Sequence, residues 1–290
     1  LKLLIRDIEV EISNFTRSDY EVIQTIIRRD LANSKVKNRE VIQNAFMEAV
    51  KIAPQANPSD LWHHIIYRLY RNNISAYREL DDAAQSWKRA SGDAFEFFFV
   101  NYYNVLLTKT DIRLIALAKK EKVKALELMG IHRKVGDSKL DVAIIAGCIG
   151  GACPSLETGI IGGVHMKVSL AERISDDVPC SKAMMEKGYL SLLATLDVKS
   201  FPLSSTISEK RAYINNGELG TAKKPTDKRR HIEEIGDFDA CFSYNLRTVA
   251  SAKTTASKKK IFVGRFNRNW DSFCKTLVAA RKRIYGRIGT

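Results

Sequence analysis

The sequence predicts an α/β fold, because its hydrophobic pattern changes character near Gly130. Before that point apolar residues recur at helical spacing; beyond it come glycine-bounded, β-branched apolar runs. Two of these runs, Leu140–Ile149 and Gly159–Leu170, are apolar on both faces, as central strands covered on both sides must be. With 290 residues, 45% hydrophobic and 28% charged, the chain can bury a full core.

The elements follow in order. Ile8, Val10 and Ile12 alternate with Glu9 and Glu11, which predicts a half-exposed strand. Helices are predicted over Tyr20–Asn33, on Val22, Ile23, Ile26 and Ile27, and over Arg39–Ile52, on Val41, Ile42, Ala45, Phe46 and Val50. Asn57-Pro58-Ser59 interrupts the pattern and offers Ser59 as the cap of a helix over Leu61–Arg71. A long helix over Ser86–Leu107 is so aromatic that it must be buried on most faces. After the two central strands come a helix over Ser181–Leu193 and a strand over Leu193–Val198, closed by Phe201-Pro202. The remainder reads as loop-rich, with turns at Asn215-Asn-Gly217 and Gly220–Pro225. Short outer strands are predicted at Phe238–Leu246 and Ile261–Phe266, and a closing helix at Trp270–Tyr285. The expected organisation is a mainly helical subdomain, 1–85, packed on a core, 86–290, in one compact domain.

Charge and cysteine content narrow the partners. A net charge of +14 and a pI of about 9.5 favour a polyanion, since each phosphate neutralised releases condensed counterions. Basic runs at Lys223–Arg230, Lys258–Lys260 and Arg281–Arg287 put three such clusters in the last third, and favour a DNA-facing side. No apolar run is long enough to span a membrane. Leu1–Ile5 breaks into charge at Arg6-Asp7 too soon for a signal peptide, and the missing Met suggests a processed start. The five cysteines, Cys148, Cys153, Cys180, Cys241 and Cys274, form no CxxC pair. They read as reduced thiols of a cytoplasmic, prokaryotic protein rather than as metal ligands.

Three residues carry the chemistry such a protein would need. Asp141 opens one apolar strand, where an unpaired acid is costly to bury. Lys167 sits within the other, Gly162–Leu170, and Glu96 lies on the long helix. Two carboxylates and a lysine brought together can hold Mg²⁺ beside a phosphodiester and activate water. For any of them alone, a strand end or helix face reaching solvent is the simpler reading. Ser169 and His165 lie two residues either side of Lys167 and share its strand face, as accessory candidates; His165 reads more simply as a packed side chain. Glu172 beside Arg173 matches the donors and acceptors of one C·G step, glutamate accepting from cytosine N4 and arginine pairing with guanine O6 and N7. A surface ion pair is the plainer alternative.

Several blocks resemble the type II restriction endonucleases that recognise a CCGG core, and within them the AgeI-type branch. The blocks are Ser86–Glu96, Val164–Arg173, Ser175–Pro179, Asn57–His64, Leu196–Pro202, Gly217–Thr221 and Asp237–Arg247, spread over nearly the whole chain. The resemblance implies a PD-(D/E)xK core, a mixed central sheet flanked by helices. It implies Mg²⁺-dependent cleavage of double-stranded DNA by a homodimer, as part of a restriction-modification system. The implied site is ACCGGT, cut after the first A to leave 5′-CCGG overhangs. Asp141 and Lys167 match the metal-binding acid and the catalytic lysine. The acid expected two residues before the lysine is replaced by His165, and Glu96 inherits that role. Glu172 and Arg173 match the end of an Arg-(Asp/Glu)-Arg reader whose first arginine is replaced by Ala171, and Arg89 is the expected substitute. A non-catalytic sequence-specific DNA-binding protein and a structure-specific repair nuclease on the same fold are the competing readings.

Overall fold

A short antiparallel hairpin opens the chain: β1 (Lys2–Ile5) pairs with β2 (Ile8–Glu11), so the predicted first strand has a partner in the segment before it. The computed structural model describes residues 1–5, 8–79, 82–136, 140–147, 156–170, 174–199 and 216–285. The apolar runs of the second half become neighbours in a six-stranded mixed sheet. Its strands are β3 (Ile112–Ala116), β4 (Val142–Ala146), β5 (Ile160–Lys167), β6 (Leu190–Thr195), β7 (Ala240–Ser243) and β8 (Lys260–Val263), in that spatial order. β4 runs antiparallel to both β3 and β5, whereas β5 through β8 are parallel. The strand β3 is absent from the sequence reading. Its Ile112-Arg-Leu-Ile-Ala run is too short and mixed to stand out until β4 pairs with it.

Two adjacent glycines explain how β5 fits between its neighbours. A Cβ on Gly162 would lie 2.2 Å from the Leu190 carbonyl oxygen, and one on Gly163 would lie 2.3 Å from Leu140 Cδ1. Any larger residue would push β5 off β6 or off the start of β4.

Helices cover both faces. On one side lie α1 (Arg17–Ala32), α2 (Asn38–Ile52), the short α3 (Pro58–Asp60), a wide π turn over Leu61–Ile66, α4 (Tyr67–Ile74) and α5 (Ala83–Leu106). They share one core with Val142, Ile144 and Val164 of the sheet and with the C-terminal helix Ser272–Tyr285. Phe98 of α5 packs against Phe46 of α2 at 4.5 Å and edge-on against Phe266 at 4.8 Å, which accounts for the aromatic density of that helix. The other face carries α6 (Lys119–Leu128), α7 (His132–Val135), α8 (Leu156–Gly159) and α9 (Ile174–Glu186), around Leu140, Ala143 and Met184. A helix over Asp227–Glu233, in what reads as loop, closes a third cluster around Leu193 and Phe238.

Three boundaries differ from expectation. Asn57, not Ser59, caps α3: its Oδ1 accepts the Ser59 N–H at 3.3 Å and the Leu246 N–H at 3.1 Å, and Ser59 is wholly buried. The helix expected from Ser181 begins at Ile174 and contains Pro179. That proline forgoes one hydrogen bond, a loss offset by burial of Ile174, Cys180, Ala183 and Met184. The following strand therefore also starts earlier, at Leu190. No helix among the described residues is long and apolar enough to cross a membrane. Cys180, Cys241 and Cys274 are free buried thiols, while Cys148 and Cys153 lie outside the described residues.

The C-terminal edge of the parallel strands is knitted by buried polar groups. Asp197, just past β6, takes a left-handed conformation at φ 49°. Its Oδ1 accepts the Glu218 N–H at 2.7 Å, its Oδ2 accepts the Thr248 hydroxyl at 2.8 Å, and its carbonyl accepts Asn245 Nδ2–H at 3.0 Å. Arg247 grips Asp60 with two bonds of 2.7 Å, tying the α3 turn to the same edge. Burial pushes the Asp197 carboxyl up to about 7, the two donors only partly offsetting it.

A folded-state pKa above the ordinary 3.8 means that the unfolded chain releases this proton first. Stability from Asp197 is therefore full below pH 3.8 and declines until about pH 7, where the folded state also ionises. Asn mimics the protonated acid and tolerates the left-handed backbone. Asp197→Asn is expected to raise the melting temperature over wild type at pH 8, by a stability gain on the order of 2 kcal/mol, and hardly at pH 4. Thermal melts across that range check it; a constant difference would show that the Asp197 charge is not the source.

Candidate active site

Asp141 is locked before its side chain is considered. Its N–H donates to the Val164 carbonyl at 3.3 Å and its carbonyl accepts the Leu117 N–H at 3.0 Å, so the backbone is tied to both neighbouring strands. The carboxylate, 8% exposed, then points along the β4–β5 seam. Oδ2 accepts the Met166 N–H at 2.7 Å, and Oδ1 accepts a hydrogen bond from Lys122 Nζ at 2.9 Å. Lys167, the last residue of β5, stands 3.7 Å from Oδ2 and 2.8 Å from Asp177 Oδ2 on α9. Burial alone would raise the Asp141 pKa; the charges of Lys167 and Lys122 and the Met166 N–H overcome it and hold the acid ionised, below its ordinary range.

Glu96 completes the group from α5. It is half-buried, flanked in the chain by Phe95 and Phe97, and close enough for Asp141 and both lysines to act on its charge. Burial, then repulsion from Asp141, push its carboxyl up to about 8, with Lys122 the main opposing charge. Both lysine pKa values are raised as well, which for an amine favours the charged form. Burial disfavours their charge, but Asp141 outweighs it for Lys122, and Asp141 with Asp177 for Lys167, so both are ammonium ions at neutral pH. The Asp177 carboxyl is raised by burial, and eased back by His165 and Lys167.

The structure therefore brings Asp141, Glu96 and Lys167 together at one end of the β4–β5 pair. It adds Lys122 and Asp177, which the sequence reading lacks. Asp177 stands in the Ser175–Pro179 block with nothing to distinguish it from Asp176 until α9 turns it toward Lys167. Lys122 is one of four lysines between Lys119 and Lys124 and is singled out only by the docking of α6.

The remaining candidates are placed differently. His165 is fully buried, its Nε2 3.3 Å from Ser191 Oγ and its ring edge-on to Phe238. The Ser169 hydroxyl donates to Glu218 Oε1 at 2.7 Å, and the same oxygen accepts the Leu170 N–H at 3.1 Å, which fixes the chain as it leaves β5. Glu172 and Arg173 lie outside the described residues. Arg89 is exposed on α5, two helical turns before Glu96, about 10 Å along the axis. It lines an open groove of about 1110 Å³ with Lys37, Arg39, Arg78 and Asp93. The basic run Lys223–Arg230 is not uniformly outward-facing. Arg229 is buried and bonded to the Leu219 carbonyl at 3.1 Å, and Lys228 is paired with Glu218, because both serve the packing of the helix Asp227–Glu233.

No group of three or more His, Cys, Asp or Glu side chains forms a ready metal cage among the described residues. The donor set nevertheless fits a hard divalent cation. Two carboxylates act on each other, one kept protonated to about pH 8 by burial and by the other's charge, and Mg²⁺ needs only one or two carboxylates besides water and phosphate oxygens.

The chain is similar to known restriction endonucleases. Residues 118–269 match the family model described as BsaWI restriction endonuclease type 2. Over 272 residues, 93% of this chain and 94% of the relative, the sequence is 47% identical to the type II restriction enzyme AgeI of Thalassovita gelatinovora. The fold superposes on a crystal structure of a specific AgeI–DNA complex with a TM-score of 0.86, at 44% identity, covering 97% of this chain and 99% of that one.

Asp177→Asn removes the carboxylate that faces Lys167 and leaves a polar group of the same shape. The Lys167 pKa should then fall, since Asp177 helps raise it. NMR titration of the isotopically labelled lysine amine checks this; an unmoved Lys167 would show that the contact carries no charge coupling.

Proposed function

The chain belongs to the type II restriction endonucleases, enzymes of sequence-specific DNA cleavage, and from that membership we propose that it hydrolyses both strands of ACCGGT after the first A. The observation that carries the reading is the convergence of Asp141, Glu96 and Lys167 at one strand edge. Mg²⁺ fits as the cofactor: Asp141 and Glu96 would hold it, and it would supply positive charge beside the phosphate and acidify a water. The chain's own groups do the rest. Lys167 is an ammonium ion in the free protein, so it acts there as a hydrogen-bond donor that orients water and the scissile phosphate rather than as a ready base. Asp177 holds that amine in line with the strand. Glu96, kept protonated to about pH 8 by burial and by Asp141, would have to be ionised to serve as a second ligand beside the already ionised Asp141.

Sequence is read by side chains close in the chain to Lys167 and Glu96. Glu172 and Arg173 follow Lys167 closely and carry the acceptor and the fork that a C·G pair matches. Arg89, exposed on the helix that carries Glu96, supplies the missing first arginine of that reader. A palindromic site calls for two-fold protein symmetry, and a homodimer on the DNA meets it. The net charge of +14 supplies the sequence-independent part of binding.

Digestion of a plasmid with one ACCGGT site tests the reading. Linear product with 5′-CCGG ends, in Mg²⁺ and not in EDTA, is expected; fragments ending elsewhere would discard the assigned site. Lys167→Ala should bind the cognate duplex and fail to cut it, and retained cleavage would remove Lys167 from the mechanism. Arg89→Ala should keep the fold yet lose roughly 1–3 kcal/mol of discrimination against a duplex with one core C·G pair changed. Normal discrimination in that variant would rule Arg89 out as a reader.

A further inference from the structure

The two oxygens of Asp141 are held by different kinds of donor. Oδ2 takes the Met166 N–H at 2.7 Å, a main-chain group fixed by the sheet. Oδ1 takes Lys122 Nζ at 2.9 Å, an ammonium at the end of a flexible stem. Lys167 does not cover that oxygen; it lies 3.7 Å from Oδ2 and is pinned by Asp177 at 2.8 Å. A ligand that needs Oδ1 can therefore displace Lys122 without moving backbone or disturbing Lys167. The Lys122 side chain is 21% exposed, so solvent and ions reach it. It arrives from α6, which lies outside the β4–β5 pair, and its charge acts on Glu96 as well as on Asp141. One ammonium thus bonds Asp141 and acts through its charge on Glu96, the two acids that the proposed function gives to Mg²⁺.

We propose that Lys122 is a stand-in cation: it occupies Asp141 Oδ1 in the DNA-free protein, weakens divalent-metal binding there, and releases the oxygen when a duplex phosphate draws its ammonium away. Metal loading then waits for DNA, and a free enzyme carrying little metal is guarded against wandering cleavage. By linkage the coupling is reciprocal, so displacing Lys122 and binding DNA favour each other. The inference rests on the reading that Asp141 and Glu96 hold the metal.

Calorimetric titration of Ca²⁺ into the DNA-free protein tests it without any cleavage. Lys122→Met should bind Ca²⁺ roughly tenfold more tightly than wild type, within the range usual for coupled sites. Lys122→Arg, which keeps the charge, should stay near wild type, and Lys122→Gln should fall between them and carries the comparison if Met impairs folding. A cognate ACCGGT duplex should strengthen Ca²⁺ binding to wild type by more than it does for Lys122→Met. Equal Ca²⁺ affinity in wild type, Lys122→Met and Lys122→Gln would overturn the proposal. Tight binding that survives in Lys122→Met with Asp141→Asn would instead overturn the metal assignment on which it rests, so the two failures are distinguishable.

Discussion

Keeping one buried carboxylate ionised is the constraint around which this end of the molecule is organised. Asp141 is almost wholly withdrawn from water, and an isolated charge there would cost several kcal/mol. The sheet lends it the Met166 N–H, β5 delivers Lys167, and α6 delivers Lys122. Lys167 in turn requires Asp177, and Glu96 is left as the acid for which no full charge remains. The result is a charge cluster balanced for the free protein that becomes unbalanced when a polyanion arrives, as a site for phosphodiester chemistry should.

The rest of the fold serves the placement of β5. Gly162 and Gly163 let it sit flush between β6 and the start of β4, which sets where Lys167 ends. Beyond the lysine, Glu218 catches Ser169 and Leu170, and Glu218 is itself held through its N–H by Asp197. The edge that presents the lysine is therefore fixed from β4, from β6 and from the turn at Gly217–Gly220, whose glycines take φ of 75° and 64°. The α5 side contributes rigidity of another kind: its aromatic contacts hold the helix that carries Glu96 and Arg89.

What was legible in the sequence follows from physics. Asp141 and Lys167 stood out because charged residues inside apolar strands are costly, and the two central strands stood out because they are apolar on both faces. The long α5 is legible from its aromatic content, and Glu96 is a candidate acid on it whose role the resemblance supplies. Lys122 and Asp177 were hidden because each is an ordinary charge in its own segment, distinguished only by a partner nineteen or ten residues distant and on another element. Arg229 misled in the opposite direction: a basic run suggests an outer face, yet its guanidinium is buried under Leu219 and Val249 carbonyls. Local pattern thus finds a charge with no local reason, and misses a charge whose reason is remote.

Asp141, Glu96 and Lys167 are proposed to form one centre of cleavage. A crystal structure of the protein with a cognate ACCGGT duplex and Ca²⁺ tests it most directly. Ca²⁺ bound by both Asp141 and Glu96 at the scissile phosphate is expected, with Lys167 in hydrogen-bond reach of that phosphate or its water. Ca²⁺ held elsewhere, or Glu96 turned away from the ion toward the α5 groove, would contradict it.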